Sequence, residues 1–347
     1  MRSRYFQACT KLVVLVLACA VPALAHAGSP TAELAREVAD KGWIIYSARA
    51  DNGTWDLFRT RPDGSIIRRV TQTFDYEEAA PRYSPDGARI LYRRFPKGSV
   101  IDHDKWGFGG TVVIANADGS DPREFGGEEE YPWANWMPDG EHISCLYREG
   151  IRIIHLESGE VVKEMPRQGI FQQLFPSPDG QWFCGTGNVG QQAWNIVCIN
   201  ANTGEATPVH VFQSCTPDWF PDSQHVIYSS RPPDQKAHAG YGATQLWMAR
   251  ADGSERKLVY GDDAYHVYGG LVSPDGAYVL FTKSIKDGGG SEKEGAPMFL
   301  MRLADAPAVG GTSAELRQKH PDVKDAPVVS LFPAWEPDWT YAEVAGE

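Results

Sequence analysis

Asp262, Asp263 and His266 fall within five residues of one another. Two carboxylates beside an imidazole can hold a divalent cation or move a proton, and a solvated polar loop uses the same residue types. Asp102-His103-Asp104 repeats the combination, with Gly107 close behind as in a calcium-binding loop. The fifth and twelfth positions of such a loop would be Trp106 and Val113, which carry no ligand oxygen, so the calcium-loop reading fails. Asp102, His103, Asp104 and Asp262 remain weak candidates for a divalent cation, and no other cofactor is expected. Glu77-Glu78 supplies adjacent carboxylates that suit either a sugar or cation site or a solvated acidic rim. Tyr131, Trp133, Phe171 and Tyr268 form either an aromatic platform for a sugar ring or peptide, or ordinary packing. Gln172 and Gln173 lie on the same kind of approach segment and complete the candidate ligand-binding set with Glu77, Glu78, Tyr131, Trp133, His266 and Tyr268. The catalytic candidates are Asp263, His266 and Glu78.

Several chemistries find no support in these residues. There is no Gly-x-Ser-x-Gly elbow, no His-Glu-x-x-His pair, no Cys-x-x-Cys-His haem motif and no phosphate-cradling glycine loop. The net charge is −12, a balance that repels phosphate backbones and argues against nucleic-acid binding. Arg2, Arg4 and Lys11 begin a leader that continues with an apolar run over 12–24 and ends in Ala25-His26-Ala27. That arrangement predicts a signal peptide over 1–27, cleaved after Ala27, and a periplasmic or secreted product without a membrane-spanning segment. The leader carries three basic and no acidic residues, so its removal leaves a still more acidic chain. A lipoprotein site at Cys19 fits poorly, because the apolar run continues past it. Cys145, Cys184, Cys198 and Cys215 remain after cleavage. Cys184 and Cys198 flank a hairpin, either as a disulfide or as two buried thiols.

The elements that must position these residues are set by a repeat. Ser84-Pro85-Asp86-Gly87 returns as Met137-Pro138-Asp139-Gly140, Ser177-Pro178-Asp179-Gly180, Phe220-Pro221-Asp222-Ser223 and Ser273-Pro274-Asp275-Gly276, with a degraded copy at Glu336-Pro337-Asp338-Trp339. Serine, proline and glycine occupy the places a type I turn favours, and a short apolar run follows each of the first five copies. A second turn alternates with the first, as in Pro62-Asp63-Gly64, Ala117-Asp118-Gly119 and Ala251-Asp252-Gly253. Each unit therefore reads as four strands, A to D, with short turns joining A to B and C to D. Units of about 40–50 residues with four strands are the mark of a β-propeller. Residues 28–42 read as a lead-in with a short helix over 29–41, and 43–347 as one propeller domain with an insertion at 304–326. Thr312 and Glu315 fit a capping box within that insertion. The chain starts on strand B and ends on strand A, so its last strand is expected beside its first, closing a ring of six four-stranded antiparallel blades. Tyr83, Trp136, Trp219 and Trp335 precede the turn prolines by two residues and read as inter-blade core.

The alternating turns resemble the WD40-like PD40 repeat of TolB-type propellers, over essentially all of residues 43–339. The resemblance is to the propeller alone: ahead of residue 43 there is room for a helix but not for that family's N-terminal α/β domain. It implies an all-β six-bladed propeller in a family that spans protein-binding propellers, peptidase-associated propellers and oligogalacturonate lyases, and the histidine and glutamine metal site of the lyases has no counterpart here. Strand alternation puts the short turns on one face and the long B-to-C and D-to-A connections on the other, where ligands are expected. The leading expectation is a binding module for an envelope protein or a glycan on the long-loop face. The alternative is an oligosaccharide-active lyase or hydrolase with its site at the channel mouth. If the leader is cleaved as predicted, mass spectrometry of the exported protein will find Gly28 at the N-terminus; retention of residues 1–27 would refute the assignment.

Overall fold

A computed structural model describes residues 28–101, 107–148, 150–190, 192–210, 213–231, 244–262, 264–285, 296–307, 310 and 325–344. Asp102, His103, Asp104, Asp263 and the capping box of Thr312 and Glu315 lie outside the described residues.

The chain opens with α1 (Pro30–Val38), capped by the Ser29 hydroxyl, which accepts from the Ala32 amide at 3.2 Å. Strands then follow in groups. They are β1–β3 (Trp43–Arg49, Trp55–Thr60, Ile67–Arg69), β4–β7 (Tyr76–Tyr83, Arg89–Pro96, Thr111–Asn116, Arg123–Phe125) and β8–β11 (Asn135–Trp136, His142–Tyr147, Gly150–His155, Val161–Pro166). Next come β12–β15 (Ile170–Pro176, Trp182–Val189, Gln192–Asn200, Ala206–His210) and β16–β19 (Ser214–Trp219, His225–Ser230, Gln245–Arg250, Lys257–Tyr260). The last are β20–β22 (Tyr265–Val272, Tyr278–Ile285, Ala296–Arg302) and β23 (Val329–Thr340). Every pairing is antiparallel. Four groups form separate four-stranded sheets, and the remaining strands join in one seven-stranded sheet, β20-β21-β22-β23-β1-β2-β3. The arrangement is an all-β propeller.

The seven-stranded sheet exists because β23 serves two neighbours. Its first half pairs with β22, from Leu300 opposite Val329 to Ala296 opposite Ala334. Its second half pairs with β1, with Ile44 opposite Trp339 and Trp43 opposite Thr340. The C-terminal strand thus sits beside the N-terminal strand, and the ring closes as the strand order predicts. The same register corrects one part of the repeat. Glu336-Pro337-Asp338-Trp339 is not a turn but lies inside β23. Tyr83 pairs with Ile90, Trp136 with Ile143 and Trp219 with Val226. Trp339, which pairs with Ile44, is their equivalent, and Trp335 is not. The chain ends meet where a sixth tight turn would stand.

The other five copies are turns as read. The fourth residue donates its amide to the first carbonyl at 2.8–3.1 Å, and each glycine among them takes a positive φ near 70°. The aspartate fixes the exit: Asp86 Oδ1 accepts from the Ala88 amide at 3.0 Å, and Asp179 and Asp275 do the same for Gln181 and Ala277.

The apolar faces of neighbouring sheets interleave, and the repeated aromatic also ties them by hydrogen bonds. Trp136 Nε1 donates to the Arg82 carbonyl and Trp219 Nε1 to that of Phe175, each in the neighbouring sheet, whereas Trp339 Nε1 donates to the carbonyl of Lys41 in the segment between α1 and β1. Leu34 and Val38 of α1 pack with Ile44, Leu300 and Trp339, so the helix covers the seam where the ring closes. Trp339 is 6% exposed at that seam. Replacing a buried tryptophan by alanine costs about 3–5 kcal/mol. Trp339→Ala is therefore expected to lower the unfolding free energy measured by urea titration by that amount, while a change at exposed Val162 leaves it within about 0.5 kcal/mol.

Candidate functional site: the central cavity

The same local distortion recurs in, or just ahead of, each innermost strand. Ala80, Trp133, Gln173, Thr216, Gly269 and Glu336 all have positive φ, between 46° and 67°. Where these strands pair across the distortion, the register slips, as between Ala79 and Arg82, Gln172 and Phe175, Cys215 and Asp218, and Tyr268 and Leu271. A bulge of this kind re-aims the side chains that follow it. Two residues on stand Arg82, Asn135, Phe175, Asp218, Leu271 and Asp338, and all six line one cavity of about 410 Å³.

That cavity runs toward the short-turn side. Pro85, Pro138, Pro178, Pro221 and Pro274 line it, so the turn prolines form its rim. The wall is largely apolar, with Trp136, Trp219 and Trp339 contributing beside the prolines. Its charged residues are few. Arg82 Nη2 pairs with Glu336 Oε2 at 3.0 Å, and Arg82 Nη1 donates to the Glu336 carbonyl at 3.0 Å. The Phe175 ring faces the guanidinium at 5.6 Å. Asp218 Oδ2 accepts from the Val272 amide at 3.0 Å, and Asp338 Oδ2 accepts from the Tyr83 amide at 2.6 Å. Each aspartate therefore reaches from its own inner strand to the next. Burial pushes the Asp218 carboxyl up to about 7; the two backbone donors pull it down, Asp338 adds repulsion, and Arg82 offsets part of it. Burial raises Asp338 as well.

The residues singled out by sequence are dispersed. Gln173 and Tyr268 line the cavity. Gln173 is 5% exposed, and its Oε1 accepts from Thr186 Oγ1 at 2.6 Å and the Thr216 amide at 2.8 Å. His266 is buried, stacked on Tyr268 at 4.6 Å, with Nδ1 2.6 Å from Thr244 Oγ1. Asp262 forms an ion pair with Lys283 at 3.0 Å. Glu77 is buried and accepts from the Trp55 amide at 2.6 Å and the Gly98 amide at 2.9 Å, a brace between neighbouring sheets. Glu78 is fully buried against Arg94 at 2.9 Å, and burial raises its carboxyl above the usual range. Gln172 and Trp133 are buried, Trp133 against Gly107 and Phe108. Tyr131 lies tilted against Phe125, and Phe171 meets Trp194 edge to face. Among the described residues, no three His, Cys, Asp or Glu side chains are grouped to hold a metal ion. Cys184 and Cys198 face each other across β13 and β14 as buried free thiols.

Arg82, Asp218, Glu336 and Asp338 are the residues that sequence reasoning passed over. A signal was present: Pro217-Asp218-Trp219 and Pro337-Asp338-Trp339 are the same tripeptide. The Pro-Asp of the second copy imitates the turn motif, and the first copy stands beside a true turn.

The fold and cavity define a β-propeller, and the comparisons agree with that class. The chain is similar to TolB from Acinetobacter baumannii, with a TM-score of 0.59 and 15% identity over 87% of this chain and 67% of that one. It is also similar to the putative TolB from Agrobacterium tumefaciens, with a TM-score of 0.54 and 20% identity over 85% and 90%. No protein-family model and no curated protein matches the sequence.

A carboxyl that is harder to ionise when folded binds more protons than the unfolded chain between about pH 4 and its folded value. Its contribution to stability is thus largest at low pH in that window and is lost as pH rises toward 7. Asp218→Asn removes the cost of ionisation and keeps an acceptor for Val272. The melting temperature of the variant relative to the parent should rise by several degrees between pH 5 and pH 8, and a constant difference would show that Asp218 ionises freely.

Proposed function

We propose that the chain is an exported six-bladed propeller that acts as a binding module, receiving part of an envelope protein or glycan in its central cavity from the Ser-Pro-Asp-Gly face rather than on the long-loop face expected from the sequence. The six-blade count follows from taking the seven-stranded sheet as two blades sharing β23, one for each inner-strand bulge. The observation that carries the reading is the cavity itself: about 410 Å³, walled by prolines and aromatics, with a few convergent polar groups. Export rests on the leader, and a glycan or protein partner suits the acidic charge better than a nucleic acid does. Among the described residues, no helix is long and apolar enough to cross a membrane.

The second reading, an oligosaccharide-active lyase or hydrolase, is favoured by Asp218 and Asp338 lining one cavity. A carboxyl half-protonated near neutrality is suited to act as a general acid.

The experiment is site-specific photo-crosslinking in envelope extract, with the reactive group at Leu271 in the cavity or at Val162 on an outer strand. Adducts from Leu271 alone are expected, and mass spectrometry will identify them as protein or glycan. Adducts from Val162 alone would overturn the cavity reading. Hydrolysed glycan that falls about 100-fold in Asp218→Asn would favour the enzyme.

A further inference from the structure

The charges around the cavity do not balance. Its charged lining residues are Arg82, Asp218, Glu336 and Asp338. Arg82 is already committed, to the Glu336 carboxylate at 3.0 Å and to the carbonyls of Glu336 and Pro337 at 3.0 and 3.4 Å. Asp218 and Asp338 each accept the amide of a neighbouring inner strand through Oδ2, and among the described residues neither is hydrogen-bonded to a cation, Arg82 acting on both only through its field. Carboxylates in an apolar wall are poorly solvated, and a cation entering between them is held far more strongly than in water.

A second observation comes from the opposite kind of group. Gln173 lines the same cavity and is 5% exposed. Its Oε1 is taken by Thr186 and Thr216, while its Nε2 donates to nothing among the described residues. The side chain is largely buried and lines the cavity, so its free amide N–H is available to an acceptor on whatever occupies the cavity. The occupant therefore carries a positive group and a nearby oxygen acceptor. Metal ions fit poorly: calcium requires six to eight oxygen ligands, and the described residues contain no grouped set of three candidate ligands.

We propose that the cavity recognises an organic cation, a primary ammonium or guanidinium on the bound partner, held by Asp218 and Asp338, with Gln173 donating to an adjacent carbonyl. Phe175 lines the same cavity, where its ring already faces the Arg82 guanidinium at 5.6 Å. This inference rests on the cavity being the binding site, as argued above.

Ligand-observed NMR separates the two claims. The probes are Nα-acetyl-lysine methylamide, its neutral counterpart Nα-acetyl-norleucine methylamide, cadaverine and calcium chloride. The lysine probe should bind about tenfold more tightly than the norleucine probe, a difference that one charge-assisted contact supplies. That preference should vanish in Asp218→Asn and Asp338→Asn, which keep oxygen acceptors for Val272 and Tyr83. Gln173→Leu should weaken the lysine probe but not cadaverine, which has no carbonyl. Cadaverine binding as tightly as the lysine probe would identify a free amine as the ligand, and weaker binding a peptide side chain. Equal affinity for the lysine and norleucine probes, no binding of either, a preference that survives both Asn variants, or displacement of the lysine probe by calcium would overturn the organic-cation inference. Leu271→Trp, which narrows the cavity, should abolish binding of every probe; unchanged binding in that variant would instead overturn the cavity as the site.

Discussion

The pairing of β23 with β1 is the contact on which the rest of the molecule depends. Each four-stranded sheet buries its faces only against its neighbours, so an open ring would leave two apolar faces exposed to water. Residues Trp335–Thr340 lie beside Trp43–Ser47 and complete the circle between parts of the chain nearly 300 residues apart. The entropy of closing so long a loop rises only with the logarithm of its length, and burial of Trp43, Ile44 and Trp339 outweighs it. Helix α1 strengthens the seam from outside, where Glu37 pairs with Arg302 and accepts from the Tyr278 hydroxyl.

With the ring closed, the inner strands converge, and their shared bulge decides what faces the centre. Regular alternation would send successive side chains to the two blade faces, where they pack against neighbouring sheets. The left-handed residue in or just before each strand interrupts that alternation and turns the residue two positions on to the cavity. Those six residues have little in common as side chains: one arginine, one asparagine, two aspartates, a phenylalanine and a leucine. The scaffold is repeated while the lining is not, and an individual recognition surface is built by this means. The aspartates also brace the next inner strand, which joins the chemistry of the cavity to the integrity of the ring.

Much of the architecture was legible in order along the chain. The four-strand unit, the two alternating turns, the B-C-D start and the A-strand finish follow from turn chemistry and short apolar runs, which are local properties. The helix was expected over 29–41 and spans Pro30–Val38, since Ser29 and Pro30 signal its start without tertiary help. The surroundings of the candidate side chains were not legible in this way. Glu77 and Glu78 looked like a carboxylate pair, yet the first is consumed by two backbone amides and the second by Arg94. Tyr131, Trp133 and Phe171 looked like a platform and instead pair with aromatic neighbours.

Turn type and strand pattern, and through them the repeated unit and the order in which the ring closes, were thus properties of the sequence alone. They depend on residues a few positions apart, whose conformational preferences act wherever the chain goes. The place of Glu336–Trp339 within a strand, the six-fold bulge, and the gathering of Arg82, Asp218, Glu336 and Asp338 around one cavity were decided only by the tertiary structure. Those residues come from strands far apart in the chain, and a carboxylate becomes a recognition group or a brace according to what the closed ring brings beside it.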